Sequence, residues 1–345
     1  MKALTISAHG ALDQVEVRDV PKPEPKFGEV RIKVAATALN HLDLWVVRGL
    51  PGATITPGFI LGSDAAGTVD AVGAGLPTRY AVREGDRVIV NAGVATAEDE
   101  YTRRGEEPLS PGFKVLGEHL PGTIAEYVCV PAKNVRAIPV SVPDDVAGAY
   151  TLSTLTAWRM CVSRARVTKD DDVLIWGIGG GVALASLAIC KQIGARVWVT
   201  SSSDEKLARA RALGADELLN HRAVDVGKEI RARTGKRGVT VVIDSVGSAT
   251  WKTSLVALGR AGRLVTCGGT SGAMVETDVR RLFWNQWDLM GSTMGNDAEF
   301  DAVARELREG RLSAVVDSVF PIEKGRDAMM HLESGKQFGK VVISI

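Results

Sequence analysis

Residues 173–193 read VLIWGIGGGVALASLAICKQI. An apolar β-branched start, four glycines at 177, 179, 180 and 181, and an apolar stretch running to Gly194 give a strand, a tight turn and a helix. The run from Val173 to Cys190 carries no charge over 18 residues, long enough to raise a membrane span. The glycines divide it in the middle, so two buried elements joined by a turn are the better reading, and no membrane association is expected. Within the turn, Gly177, Gly180 and Ala183 have GxxGxxA spacing. Glycine lets the main chain bend sharply and come close to a pyrophosphate with no Cβ between them. The helix that follows presents unpaired N–H groups and its positive dipole end to the same place. Gly177, Gly180 and Gly181 are therefore expected to bind a dinucleotide.

The stretches that follow keep this pattern. RVWVTS (196–201) reads as the next strand, Asp204–Leu213 as a charged helix with Asp204 as its N-cap, and VTVVIDSVG, GRLVTCGG and DLMGST as further strands with helical stretches between some of them. Strands alternating with helices predict a parallel sheet covered on both faces. The second strand ends in Ser201-Ser202-Ser203, where sites selective for NAD place a carboxylate against the ribose 2′-hydroxyl. Neutral hydroxyls, Lys206 in the next helix and His221 after the third strand suit a 2′-phosphate, so NADP(H) is favoured over NAD(H). The loops 244–247, 268–270 and 293–295 fall at strand C-terminal ends, the ligand edge of an open α/β sheet, which puts Val246, Gly269 and Thr293 with the cofactor residues.

Before residue 150 the pattern is different. VRIKVAA (30–36), GTVDAV (67–72) and DRVIV (86–90) are short strands bounded by Gly, Pro or Asp, with helical periodicity confined to about 41–48. Residues 91–118 are polar, carry Gly and Pro and show no period, which predicts a long surface lobe or loop. An amphipathic helix at Asp297–Glu309 precedes strand-like pieces ending FGKVVISI, a tail that resembles the β-rich first part and is expected to return to it. A length of 345 residues implies about two domains. Lys+Arg total 42 against Asp+Glu 41, a net charge of +1, which argues against a broad nucleic-acid-binding surface. The four cysteines, at 129, 161, 190 and 267, form no CxxC pair and read as free thiols of a reducing compartment. With no apolar leader in MKALTISAHG, a cytoplasmic location is expected.

Taken together, GEVRIKVAATALNHLDLW (28–45), GSDAAGTVDAVG (62–73), GDRVIV (85–90), GTIAEYVCVP (122–131), LTAW (155–158), the glycine turn, EKLARARALGAD (205–216) and FGKVV (338–342) resemble, in order, the medium-chain dehydrogenase/reductase superfamily, the group of zinc-type alcohol dehydrogenases and quinone oxidoreductases. The resemblance covers essentially the whole chain. It implies an α/β architecture, with a GroES-like β domain (1–152 and 297–345) interrupted by a Rossmann domain (153–296), and an active site in the cleft between the two. By the same resemblance Thr156 of LTAW faces the nicotinamide, Lys340 belongs with the cofactor residues, Trp45 and Trp158 wall the substrate pocket, and Trp284 and Trp287 lie in a region that builds the interface of a homodimer or homotetramer.

Zinc members of the resembled group carry Cys where this chain has Asn40, His and Glu at Ser63 and Asp64, and a third ligand near Leu152. An amide, a hydroxyl and an aliphatic chain are poor substitutes for thiolate and imidazole. The lobe at 91–118, which holds four cysteines in such enzymes, has none. No zinc is expected, and His41, Asp43 and Asp64 read as a polar cluster. Alcohol oxidation needs an alkoxide, which zinc supplies by acidifying a bound oxygen. Reduction of a quinone or a conjugated C=C–C=O puts charge on a delocalised oxygen that hydrogen-bond donors can serve. The expected function is therefore zinc-independent, NADPH-dependent reduction of a quinone, enone or related small carbonyl compound, with Asn40 donating to the substrate oxygen and Asp43 and Ser63 orienting it. The alternatives are an alcohol dehydrogenase of the zinc-type family and a nicotinamide-binding protein with little catalysis.

Overall fold

The computed structural model describes all residues from Met1 to Ile345. The chain divides into two compact units, one formed by Met1–Leu155 together with Gly295–Ile345, the other by Thr156–Met294.

The first unit is built on a seven-stranded sheet. Its central strand, Glu29–Ala38, is flanked on one side by Ala66–Val72 and on the other by Lys340–Ser344, and Tyr127–Pro131 pairs with its first half. The last strand of the chain thus sits in the interior of the sheet, antiparallel to a strand near the start of the chain, with Val342 opposite Ala38 and Ser344 opposite Ala36. Alternating apolar residues put Val30, Ile32 and Val34 out of water, and Val341, Val342 and Ile343 are all fully buried in the last strand. A separate three-stranded sheet orders Val15–Asp19, Lys2–Ile6 and Phe59–Ile60. Leu4, Ile6, Leu44, Val47, Leu61 and Met329 form the core beneath it.

The stretch 91–118 forms an ordered lobe. Gly93–Ala95 pairs antiparallel with Phe113–Val115, and Asp99 caps the short helix Glu100–Arg103 by accepting from the backbone of Tyr101 and Thr102, both at 2.9 Å. The other oxygen of Asp99 accepts from the Ser110 hydroxyl at 2.6 Å, closing the lobe on itself.

The second unit is a six-stranded sheet, parallel throughout, ordered Glu217–Asn220, Arg196–Ser201, Asp172–Ile175, Val239–Asp244, Leu258–Thr266, Asp288–Gly291. Strand order reverses between Asp172–Ile175 and Val239–Asp244, and the crevice of such a sheet lies at that switch point. The uncharged run resolves into the strand Asp172–Ile175, a turn, and the helix Gly181–Ile193, and no helix in the structure is long and apolar enough to cross a membrane. Trp198 is fully buried within its strand. Trp176 lies one residue past its strand, buried, with its indole N–H on the Ser254 hydroxyl at 2.8 Å.

One helix boundary differs from expectation. The cap of the helix Asp204–Ala212 is Ser203, whose extended backbone lets its hydroxyl accept from the Lys206 N–H at 3.3 Å. Asp204 is already helical, and its carboxylate takes the Asn220 amide at 2.7 Å. Serine and aspartate are near-equal as caps, so tertiary partners chose between them.

Candidate active site

Register assembles the first site. Val342 opposite Ala38 carries Lys340 opposite Asn40, and the Leu39 N–H donates to the Val341 carbonyl at 2.9 Å. On the other side of the central strand, Ala36 pairs with Ala66, which leaves Asp64 just beyond the same strand end. The Thr37 hydroxyl fixes it there by donating to the Asp64 carbonyl at 2.5 Å, and Thr123 donates to the same oxygen. Asn40, Asp64 and Lys340 therefore meet where three adjacent strands begin or end.

They form a closed ring. The Lys340 Nζ donates to Asn40 Oδ1 at 2.5 Å and to Asp64 Oδ2 at 2.9 Å. Asn40 Nδ2 donates to the same Asp64 oxygen at 2.9 Å and to the Ala38 carbonyl at 3.3 Å. The second Asp64 oxygen accepts from the Leu152 backbone N–H at 2.6 Å. Asp64 is 0% exposed and Lys340 4%, whereas Asn40 is only half-buried. A charge pair this deep persists only when its remaining lone pairs and protons are hydrogen-bonded, as they are here on Asp64.

The two residues expected to orient the Asn40 side chain are placed elsewhere. Asp43 is fully buried at the third position of the helix His41–Arg48, its carboxylate accepting from the backbone N–H groups of Asn40 at 2.7 Å and Gly62 at 3.0 Å. It holds Asn40 through the main chain, half of a capping box. Burial pushes the Asp43 carboxyl up to about 6, against the two N–H donors and Lys340, which pull it down. The Ser63 hydroxyl is also fully buried and donates to the Leu116 carbonyl at 2.7 Å. Lys340, expected among the cofactor residues, has its amine on Asp64 and Asn40. Its partnership with Asp64 has no short-range signal, since 276 residues separate the two. Trp45 is half-buried on the helix that Asn40 opens.

These residues do not fit a zinc ion. The one carboxylate among the expected ligand positions already accepts from an ammonium, an amide and a backbone N–H. Ser63 is committed to a carbonyl, Leu152 offers no side-chain donor, and a divalent cation would face the Lys340 ammonium. No group of three His, Cys, Asp or Glu side chains is arranged to hold a metal.

The second site is the glycine turn. Gly177 has φ +67°, a conformation open mainly to glycine, and its N–H donates to the Thr200 hydroxyl at 3.1 Å. Gly180 precedes the helix Gly181–Ile193 with no side-chain cap. A Cβ built on Gly180 meets nothing nearer than 3.8 Å, and on Gly177 only a Val246 methyl at 3.8 Å. Packing within the protein does not demand these glycines, and the space they leave is what an approaching pyrophosphate needs. Val246 thus borders the turn, held by its N–H on Asp244 Oδ1 at 2.8 Å and by its carbonyl, which accepts from the Ser271 hydroxyl at 2.7 Å. Gly269 lies against Gly247, whose Cβ would come within 2.8 Å of it. Ser201 is buried and accepts from the Ser203 N–H at 3.1 Å, and the His221 N–H donates to the Ser201 carbonyl at 3.0 Å. Thr156 is buried with its hydroxyl 4.0 Å from the Met294 sulfur, Thr293 is exposed, and Trp158 is half-buried. Asp244 went unnoticed in the sequence beyond its loop. Fully buried, it accepts from Thr250, Ser254 and the backbone of Val246 and Gly247, fixing one wall of the turn.

Comparison with known proteins agrees with both units. Residues 26–140 match the family model described as alcohol dehydrogenase GroES-like domain, and residues 181–309 match the zinc-binding dehydrogenase model. A solved structure of an NAD-dependent alcohol dehydrogenase is 38% identical, with TM-score 0.95 over 100% of both chains. Crotonyl-CoA carboxylase/reductase of Cereibacter sphaeroides is 28% identical over 92% of this chain and 81% of its own. Human quinone oxidoreductase is 25% identical over 99% and 97%. The chain belongs to the medium-chain dehydrogenase/reductase superfamily. Within it, the protein is a nicotinamide-dependent oxidoreductase.

Proposed function

We propose that this oxidoreductase reduces quinones or α,β-unsaturated carbonyl compounds with NADPH and without zinc. The observation that carries this reading is the Asn40–Asp64–Lys340 ring, in which the amide and carboxylate at two of the expected ligand positions are hydrogen-bonded to a buried ammonium. The relatives named crotonyl-CoA carboxylase/reductase and quinone oxidoreductase support it.

Bound reduced nicotinamide supplies a hydride. When a C–H bond forms at the β-carbon of an enone, the C=C electron pair moves toward the carbonyl and the oxygen gains charge. Asn40, the half-exposed member of the ring, is the residue assigned to donate an N–H to that oxygen while keeping its proton. A solvent proton then completes the saturated product at the α-carbon. Gly177, Gly180 and Gly181 would hold the pyrophosphate, with Thr156, Val246, Gly269 and Thr293 on the nicotinamide side. Ser201, Lys206 and His221 are the residues assigned to the adenosine end. No carboxylate terminates the Arg196–Ser201 strand, and Asp204 is tied to Asn220, which favours NADP(H).

A second reading, NAD(P)-dependent alcohol oxidation, is favoured by the 38% identity to a structure of an alcohol dehydrogenase. Turnover of NADPH and NADH against quinones, enones, enoyl thioesters, aldehydes and ketones, with zinc measured on the same sample, separates the two. Stoichiometric zinc that supports alcohol oxidation, lost with chelator, overturns the reductase reading.

A homodimer or homotetramer is proposed as well. The helix Val279–Asn285 buries none of its residues, Phe283 and Trp284 are 63% and 70% exposed, and it leads into the edge strand Asp288–Gly291. A helix exposing Val279, Phe283 and Trp284 beside an open strand edge is a surface that a second copy would cover. Light scattering on Trp284→Glu tests it, with a monomer expected. Four free thiols support a cytoplasmic location.

A further inference from the structure

We propose that Lys340 and Asp64 are positioning residues that lock the Asn40 amide in one orientation and raise its strength as a donor to the substrate oxygen. The inference rests on the reductase reading above. An isolated amide can rotate by half a turn and exchange its oxygen for its nitrogen. Here two buried charges of opposite sign decide which end faces which. The Lys340 ammonium, 2.5 Å away, only donates, so it must face Oδ1. Asp64 Oδ2, 2.9 Å away, only accepts when ionised, so it must face Nδ2. A flipped amide would set NH2 against NH3+ and oxygen against carboxylate, losing both hydrogen bonds and adding two repulsions.

The same arrangement polarises the amide. An ammonium hydrogen-bonded to the carbonyl draws charge toward Oδ1 and leaves the N–H groups better donors, an effect strengthened by the low local dielectric. Of the two Asn40 N–H groups, one is held by Asp64 and the other makes a long contact of 3.3 Å to the Ala38 carbonyl. The long one is the donor an arriving oxygen would capture at least cost. Burial matches this division, with both charged residues sealed and Asn40 the one member of the ring that is not fully buried. Asp43 completes the arrangement by holding the Asn40 backbone at 2.7 Å.

A double-mutant cycle tests the inference, because a residue that acts only through Asn40 has no effect once Asn40 is gone. Steady-state kcat and KM are measured with NADPH and the best quinone or enone for wild type, Asn40→Ala, Lys340→Met, the double variant and Lys340→Arg, with NADPH affinity by fluorescence and melting temperature alongside. Asn40→Ala is expected to lower kcat about 100-fold, as for loss of one oxyanion donor. Lys340→Met is expected to lower it about tenfold, the scale of one charged hydrogen bond. The double variant should match Asn40→Ala, Lys340→Arg should recover most of the loss, and NADPH affinity should stay within about twofold. Asn40→Asp, which keeps a partner for Lys340 but has no N–H, should fall to the alanine level, and it serves if Lys340→Met does not fold. Losses that multiply in the double variant, or an unchanged kcat in Lys340→Met, overturn the inference. So does weakened NADPH binding with kcat intact, which would make Lys340 a phosphate contact. A wild type that turns over alcohols but no quinone or enone overturns only the reductase reading, and the cycle is then read in alcohol turnover.

Discussion

The turn at 177–181 and the ring around Asn40 present opposite surfaces to a ligand. The turn is main chain without side chains, where a Cβ on Gly180 would enter open space and the helix behind it begins uncapped. The ring is side chain against side chain, with an ammonium, a carboxylate and an amide each hydrogen-bonded to the other two. One region leaves backbone groups unsatisfied, and the other holds its side-chain groups fixed. At Gly67, by contrast, glycine serves packing. A Cβ on Gly67 would lie 2.1 Å from the Lys33 carbonyl in the neighbouring strand, so that glycine is demanded by the sheet and not by a ligand.

Four changes would break or sharpen this contrast. The largest effect is expected at the ring. Asp64→Ala leaves the Lys340 ammonium buried with one partner lost, and denaturant unfolding should show a loss of about 3–5 kcal/mol. An unaltered midpoint would mean that the ring adds nothing to the fold. Next comes Asp43. Its folded-state value of about 6 lies above the ordinary 3.8 because the carboxyl is buried. A raised carboxyl contributes stability below the unfolded value and loses it as pH climbs through the folded one. The stability difference between wild type and Asp43→Ser should therefore be about 2 kcal/mol larger at pH 4.5 than at pH 7.5. A difference that grows with pH would show that the two backbone donors outweigh burial.

The third change, Gly180→Ala, should change melting little, since its Cβ would meet nothing nearer than 3.8 Å, yet cost about 1.5–3 kcal/mol of dinucleotide binding, read by calorimetry. An alanine there that binds the dinucleotide normally would reduce the turn to a structural bend. The smallest effect belongs to Lys206. Exchange for Glu should shift the preference for NADPH over NADH by about 1 kcal/mol or less, the range of a solvated ion pair, measured as a ratio of dissociation constants. No shift would remove Lys206 from the adenosine end.

How much of each region was readable follows from how far apart its residues lie. The strand, turn and helix of 172–193 are one continuous segment, and glycine spacing with flanking apolar runs specifies them locally. The same holds for the helices His41–Arg48 and Asp297–Arg308, whose apolar periodicity sits in the chain itself. The choice of Ser203 over Asp204 as cap was decided by Asn220, on the neighbouring strand. Asn40, Asp43, Ser63 and Lys340 each stood out in the sequence, but the partners of the last three could not be read from it. Asp43 and Ser63 turned inward to backbone groups, and Lys340 turned to Asn40 and Asp64.

The sequence by itself determined a chain of strands and helices with a dinucleotide-type glycine turn and without the thiolates and imidazoles of a zinc site, because local periodicity and residue chemistry are properties of short segments. Only the tertiary structure decided that Lys340 neutralises Asp64 and grips Asn40. That contact depends on a sheet register between residues 300 positions apart, and register is fixed by which faces of the strands are buried together.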